Sequence, residues 1–344
     1  MDIYEQITRM ADEIAPELVA QRRDFHKFAE KGWFEMRTSS IIARKLTEMG
    51  YEVLVGDQVC KKDARMGVPS DEELEEQYER AVAQGADPEF VKYTKGGMTG
   101  VIGILRCGEG PTVAMRFDID ALGVFEEKDS SHRPACEGFG SVNEGFMHAC
   151  GHDCHMAMLL GAAKILSQHR EDFSGTVKFL FQMAEEIGTE SRHYVEKGCL
   201  EGVDAIFGMQ IWALLEAGTV NLEDGPRMAC SARFTIRLTG KEAPLAAPEQ
   251  GRDPIAAAAA VILALQQLAS RQNDPENTFV LTVGMFNSTG EAGRTARQVE
   301  LVGTTRTFDK AFRKGLPAQI EKVAKGVGEG LGCQVDCTYF FGPA

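Results

Sequence analysis

The nine residues Met147-His148-Ala149-Cys150-Gly151-His152-Asp153-Cys154-His155 hold three histidines, two cysteines and one aspartate. Cys150 and His152 lie two positions apart, so on a helix their side chains would diverge by about 200° and could not share an ion. On a strand or an extended turn they project to the same side. Gly151 permits a tight backbone, and the apolar run from Met156 to Leu166 predicts a helix starting just afterwards. The expected arrangement is a strand or loop that delivers thiolate and imidazole at the mouth of a helix. A His/Cys-rich turn without an ion is the competing reading. A structural zinc finger fits less well, because finger ligands come in C-x2–4-C and H-x3–5-H pairs.

A second cluster gives the first a meaning. Val177-Lys178-Phe179-Leu180-Phe181-Gln182 reads as a buried strand running into Met183-Ala184-Glu185-Glu186, then Ile187-Gly188. Adjacent carboxylates at a strand end are costly unless positive charge sits beside them. Upstream, Thr112 to Phe117 reads as another strand, ending in Asp118-Ile119-Asp120-Ala121-Leu122. In open α/β sheets ligands bind beyond the carboxyl ends of strands. Acid, thiolate and imidazole at three expected strand ends point to a metal site.

The segments Met115 to Leu122, His148 to Asp153 and Phe181 to Glu186 together resemble the aminoacylase-type metallopeptidases. More narrowly they are similar to the amidohydrolase branch of hippurate, auxin-conjugate and aminobenzoyl-glutamate hydrolases. Arg22-Arg23-Asp24-Phe25-His26-Lys27, Asp129 to Pro134 and the stretch from Asp63 to Gly97 favour the aminobenzoyl-glutamate type. The resemblance implies metal-assisted hydrolysis of the amide bond of a small N-acyl or N-aroyl amino acid, with one or two divalent ions, zinc or manganese. It implies Glu185 as general base and Cys150, His152 and Glu186 as ligands. Asp118 and Asp120 would support an imidazole or the ion from behind. Arg306 would hold a substrate carboxylate with its guanidinium fork.

The chain has 344 residues, enough for two domains. A net charge of −14, from 37 basic and 51 acidic residues, argues against nucleic acid or an anionic membrane as partner. Met1 to Glu5 has no apolar core of a secretory signal, and the helix expected from Pro254 to Ala269 is too short to span a bilayer. Nine cysteines without framework spacing fit reduced thiols and a cytoplasmic location.

Two amphipathic helices are expected in residues 2–50. The first carries Ile3, Ile7, Met10, Ile14 and Leu18; the second starts at an N-cap Ser39 and ends at Met49, with Gly50 following. His26 and Trp33 read as packing or substrate-side residues. Tyr51 to Val55 is an expected strand, Ser70 to Gln84 an exposed acidic helix, and Glu126 to Asn143 a long loop that would roof the site. Strand-helix alternation through Met209 makes residues 1–228 a mixed-sheet α/β catalytic domain. Residues 229–344 run strand, helix, strand, strand, helix, strand, a ferredoxin-like order. By resemblance this is an inserted lid domain through which members of the family often form homodimers.

Departures fall on functional positions. The family's ligand histidine after the strand at Ala205 is Gln210 here, its lid histidine is Pro244, and its lid asparagine is Gly293 or a neighbour. None of the seven histidines lies beyond His193, and the sequence ends at Ala344, where family members return to the catalytic domain. Cys150, His152 and Glu186 still make the three protein ligands a catalytic zinc wants. The amide of Gln210 is a poorer ligand than imidazole, so a second ion should be weakened. Three readings follow: an amidohydrolase, a non-catalytic scaffold or small-molecule binder, or one fragment of an enzyme completed by a separate chain.

Overall fold

A computed structural model describes residues 2–187 and 191–342; Gly188, which follows the acidic pair, and Ala344 lie outside them. The chain divides into two compact units, Met1–Thr219 and Val220–Ala344.

The first unit is built on a five-stranded sheet with strands β1 (Glu52–Val55), β2 (Val101–Arg106), β3 (Thr112–Asp118), β4 (Thr176–Gln182) and β5 (Ala205–Gly208). Their order is β1-β2-β4-β3-β5. The pairs β1–β2 and β2–β4 are antiparallel, whereas β3 runs parallel to both β4 and β5. The parallel pair matters for function, because β3 and β4 end side by side with Asp118 opposite Gln182.

Helices α1 (Ile3–Lys27), α2 (Met36–Glu48) and α3 (Asp71–Ala83) precede β2. The short α4 (Arg133–Cys136), then α5 (His152–Gln168) and the short α6 (Arg192–Val195), complete the unit. α2 packs on β1 and β2, α5 on β3 and β4, and α1 covers α5. Ile102, Leu105, Phe179, Phe181, Met156, Ile42 and Leu46 are almost fully buried between them. Each such side chain contributes roughly 1.5–3 kcal/mol by leaving water. The apolar stripe of α1 is used only from its middle onward. Ile3 and Ile7 stand exposed, while Leu18 packs so closely on Gly161 of α5 that a Cβ there would lie 2.8 Å from Leu18 Cδ1.

Two helix starts differ from expectation. α2 begins at Met36, and Ser39 is a buried helical residue whose hydroxyl donates to the carbonyls of Glu35 and Thr99. The carboxylate of Glu30, outside the helix, accepts the N–H groups of Arg37 and Thr38 at 3.2 and 2.8 Å. A cap borrowed from upstream leaves no local capping pattern to read. α5 begins at His152 rather than near Met156, because Gly151 enters the helix with φ 91°. Its first turn is made of the polar residues themselves. The acidic helix agrees with expectation, with Ser70 and Glu73 forming a reciprocal cap. From Glu126 to Asn143 the chain is irregular apart from α4, and Glu126 is tied to His26 of α1.

The second unit pairs β6 (Cys230–Thr239), β7 (Phe279–Ser288), β8 (Gln298–Thr307) and β9 (Gln334–Phe341) in the order β7-β8-β6-β9, antiparallel throughout. α7 (Pro254–Ser270) and α8 (Lys310–Gly330) pack on this sheet. β6 buries Cys230, Ala232, Phe234, Ile236 and Leu238, the period of two that a one-sided sheet requires. Asp253 and Asp309 cap the two helices through their side chains. No helix among the described residues is long and apolar enough to cross a membrane.

Candidate metal centre

Cys150, His152 and Glu186 come together, with one ligand-type atom from each lying within 4.8 Å of the others. The delivery is not by three strand ends, as the sequence suggested. Glu185 and Glu186 follow β4 in a short 3-10 turn, but Cys150 and His152 flank the left-handed Gly151 at the start of α5. That glycine turns two residues that would diverge on a helix toward a common point. A side chain at φ 91° is disfavoured for any residue but glycine.

His152 is fixed by its neighbours. Its Nδ1–H donates to the carbonyl of Asp120 at 2.8 Å, so the ring in its neutral form presents its lone pair on Nε2. Nε2 stands 3.6 Å from both Asp118 Oδ1 and Glu186 Oε1, and 3.9 Å from Glu185 Oε2. These separations are too long for hydrogen bonds. They match the spacing of atoms on the surface of a sphere about 2 Å in radius, the usual metal–ligand distance. Among the described residues, His152 Nε2 and Glu186 Oε1 are buried with no hydrogen-bond partner. Buried polar atoms are seldom left so, and two that converge beside the Cys150 sulfur fit a divalent cation.

The electrostatics agree. Burial pulls the His152 pKa down, but Asp120, Cys150 and the charge of Asp118 outweigh it and hold it at about 11. The surroundings therefore demand positive charge at this ring. Burial, then the charges of Asp118 and Asp120, push Glu185 up to about 7. A carboxylate so tuned exchanges protons near neutrality, as a general base must. Burial also raises Glu186. Asp118 goes the other way, because His155, His152 and Arg116 overcome burial and hold it at about 2.

A second set of possible ligands is Asp118, His152 and His155, all buried. His155 was not singled out from the sequence, although its i,i+3 spacing from His152 on one helix face was a usable signal. Its ring is already engaged. Nδ1 donates to Asp118 at 2.5 Å and Nε2 accepts the Ile211 N–H at 3.0 Å. The unsatisfied atoms thus favour the set containing Cys150. Asp153 anchors the first turn of α5 to α1 through His26 at 2.7 Å and Arg22 at 2.8 Å. His26 is therefore a buried strut, and Trp33 is fully buried.

Gln210 lies beside the cluster. Its amide Nε2 reaches Cys150 Sγ at 3.3 Å. Arg306, Pro244 and Gly293 belong to the second unit. Arg306 is exposed on β8, and Pro244 bridges Arg294 in an irregular segment next to Gly293.

The profile of "Peptidase family M20/M25/M40" matches residues 114–309. The chain is 40% identical over 267 residues to one of the subunits of the p-aminobenzoyl-glutamate hydrolase of Escherichia coli, covering 77% of this chain and 61% of that protein. It is 34% identical to an N-acyl-L-amino acid amidohydrolase of Geobacillus stearothermophilus over 98% of this chain and 80% of that one. A solved structure from Bacillus subtilis, described as a dinuclear metal binding peptidase from the M20 family, superposes with a TM-score of 0.68 at 32% identity, covering 96% of this chain and 75% of that chain. The chain thus spans about three fifths of the length of the first of these relatives. With the profile covering more than half its residues, this chain belongs to peptidase family M20/M25/M40.

Proposed function

We propose that this protein is a metal-dependent amidohydrolase that cleaves the amide bond of an N-acyl or N-aroyl amino acid. The observation that carries the reading is the convergence of His152 Nε2 and Glu186 Oε1, both without a hydrogen-bond partner among the described residues, beside Cys150. Cys150, His152 and Glu186 would hold the ion, and the mix of thiolate, imidazole and carboxylate suits zinc. A bound divalent ion supplies Lewis acidity toward a carbonyl oxygen and toward water. Glu185 takes a proton from the attacking water and passes it to the leaving amine. Asp120 keeps His152 in the tautomer that presents Nε2. Asp118 orients His155, which in turn receives the Ile211 N–H and steadies the segment carrying Gln210.

The substrate class rests on the relatives, one belonging to a p-aminobenzoyl-glutamate hydrolase and another described as an N-acyl-L-amino acid amidohydrolase. Such substrates carry a carboxylate, and the exposed guanidinium of Arg306 has the geometry to receive one. The two units are read as catalytic and lid domains, the second also serving dimerisation. The edge strand β7 supports the latter: Phe279 to Ser288 contains no charged residue, and Val280, Met285 and Phe286 are exposed. Such an edge is a template for pairing.

One observation favours a non-catalytic binder instead. Gln210 places a weakly donating amide against the Cys150 sulfur, where an imidazole would complete a second ion site. The two readings separate on one purified sample. Metal content per chain is measured, followed by hydrolysis of a panel of N-acetyl amino acids, N-benzoyl amino acids and p-aminobenzoyl-glutamate. Stoichiometric metal with turnover supports the hydrolase; metal without turnover on any member supports the binder. Absence of bound zinc or manganese after dialysis against either would end both metal readings.

A further inference from the structure

Glu35 is a carboxylate with no exposed surface and no part in the chemistry above. One of its oxygens accepts the Ala184 N–H at 2.7 Å, and the other accepts the Thr99 hydroxyl at 2.7 Å. Ala184 is itself unusual, with φ 55°, a left-handed conformation that any residue bearing a Cβ avoids. It is also the last residue before Glu185. The reversal there takes the chain out of β4 and into the turn from which both acidic side chains approach His152.

The surroundings hold the same segment. A Cβ on Gly32 would lie 3.0 Å from Ala184 Cα and 2.7 Å from Ile187 Cδ1, so the chain just before Glu35 lies directly against the turn. At its far end the turn is held by Asp120, which accepts the Glu186 N–H at 2.9 Å. Two carboxylates thus grip the backbone on either side of Glu185. We propose that Glu35 is a positioning residue, which by accepting the Ala184 N–H holds the left-handed turn that sets Glu185 and Glu186 at the metal centre. The proposal rests on the metal-centre reading for its functional meaning, and on the geometry at Ala184 for its mechanism.

The test uses the whole chain with zinc alone as probe, its affinity read by competition with a chelator. Glu35→Ala should weaken zinc binding about tenfold or more, the effect typical of residues that orient ligands. Ala184→Gly removes the penalty of the left-handed turn, so the double variant should recover about fivefold. By itself Ala184→Gly should change affinity less than about twofold. A hole left in the core would not be mended by a glycine two bonds from the lost acceptor, so recovery separates positioning from bulk structure. Unaltered affinity in Glu35→Ala, or no recovery in the double variant, overturns the proposal. Should Glu35→Ala not fold, Glu35→Leu carries the same comparison. It keeps the bulk but not the acceptor, so zinc affinity should fall about tenfold and recover with Ala184→Gly, and no loss would overturn the clamp. If the unaltered protein takes up no zinc, the metal reading falls on its own. The clamp is then read from thermal unfolding, where Glu35→Ala/Ala184→Gly should melt above Glu35→Ala; equal or lower melting overturns it.

Discussion

Asp120 accepts the Glu186 N–H on one carboxylate oxygen at 2.9 Å and sets its other oxygen 3.3 Å from His152 Nδ1. The same residue's carbonyl takes the Nδ1–H of His152 at 2.8 Å. One residue therefore sets the backbone of one proposed ligand and the tautomer of another. Asp120→Ala should lower zinc affinity about 10- to 100-fold while the far-ultraviolet circular dichroism stays unchanged. Affinity within a factor of two of the original would remove Asp120 from the centre.

Gln210 makes a separable forecast. Its amide already touches the Cys150 sulfur at 3.3 Å, so an imidazole placed there starts within reach of the cluster. Gln210→His should increase bound metal per chain, and Cys150→Ala should decrease it. Pro244→His, in the second unit, should leave metal content where it was. Metal content that ignores both Gln210→His and Cys150→Ala would mean that no ion binds at this place, and the scaffold reading would stand.

His193 governs part of the acid response. It is fully buried against the Trp33 ring, 5.3 Å between centroids, and among the described residues neither ring nitrogen has a hydrogen-bond partner. Burial first, then the nearby Arg65 charge, depresses its pKa to about 4 from 6.5. The unfolded chain binds this proton more readily than the folded one. Stability from this group is therefore complete above about pH 6.5 and is lost as pH falls toward 4, by at most about 3 kcal/mol. Denaturant unfolding of His193→Leu should show a shallower loss over that window than the unaltered protein. His148, buried and held at about 4, acts in the same direction and leaves a residual slope.

Strands β3 and β4 were legible because continuous apolar runs stop at acidic residues, and burial of both sheet faces requires such runs. The second unit was legible because its strand, helix, strand, strand, helix, strand order shows in the sequence and β6 alternates. The proximity of Cys150, His152 and Glu186 could be anticipated from their place in the chain. Its geometry could not, since it depends on Gly151 adopting φ 91°. Glu30 and Glu35 were illegible for a different reason. Each acts on backbone N–H groups that carry no side-chain signature, and Ala184 is 149 residues from the carboxylate that holds it.

The edge of the second sheet supplies the last prediction. β7 is ten residues long, uncharged, and paired on one side only, to β8. Soluble proteins normally blunt such an edge with lysine, proline or a covering segment. On a chain with net charge −14, a second copy meets the least repulsion at an uncharged stretch. Antiparallel pairing of β7 with β7 of another copy would satisfy the free backbone groups and cover Val280 and Phe286, which are 49% and 40% exposed. Lysine at Val280 or Thr282, which pair with Arg306 and Thr304 on the sheet face away from the core, would leave the unit's own core untouched but place like charges across the two-fold axis. Val280→Lys and Thr282→Lys should each convert a dimer to a monomer at micromolar concentration, measured by light scattering, with little change in unfolding midpoint. A dimer that survives both substitutions would move the contact away from β7, and a protein that is monomeric before any substitution would remove dimerisation altogether.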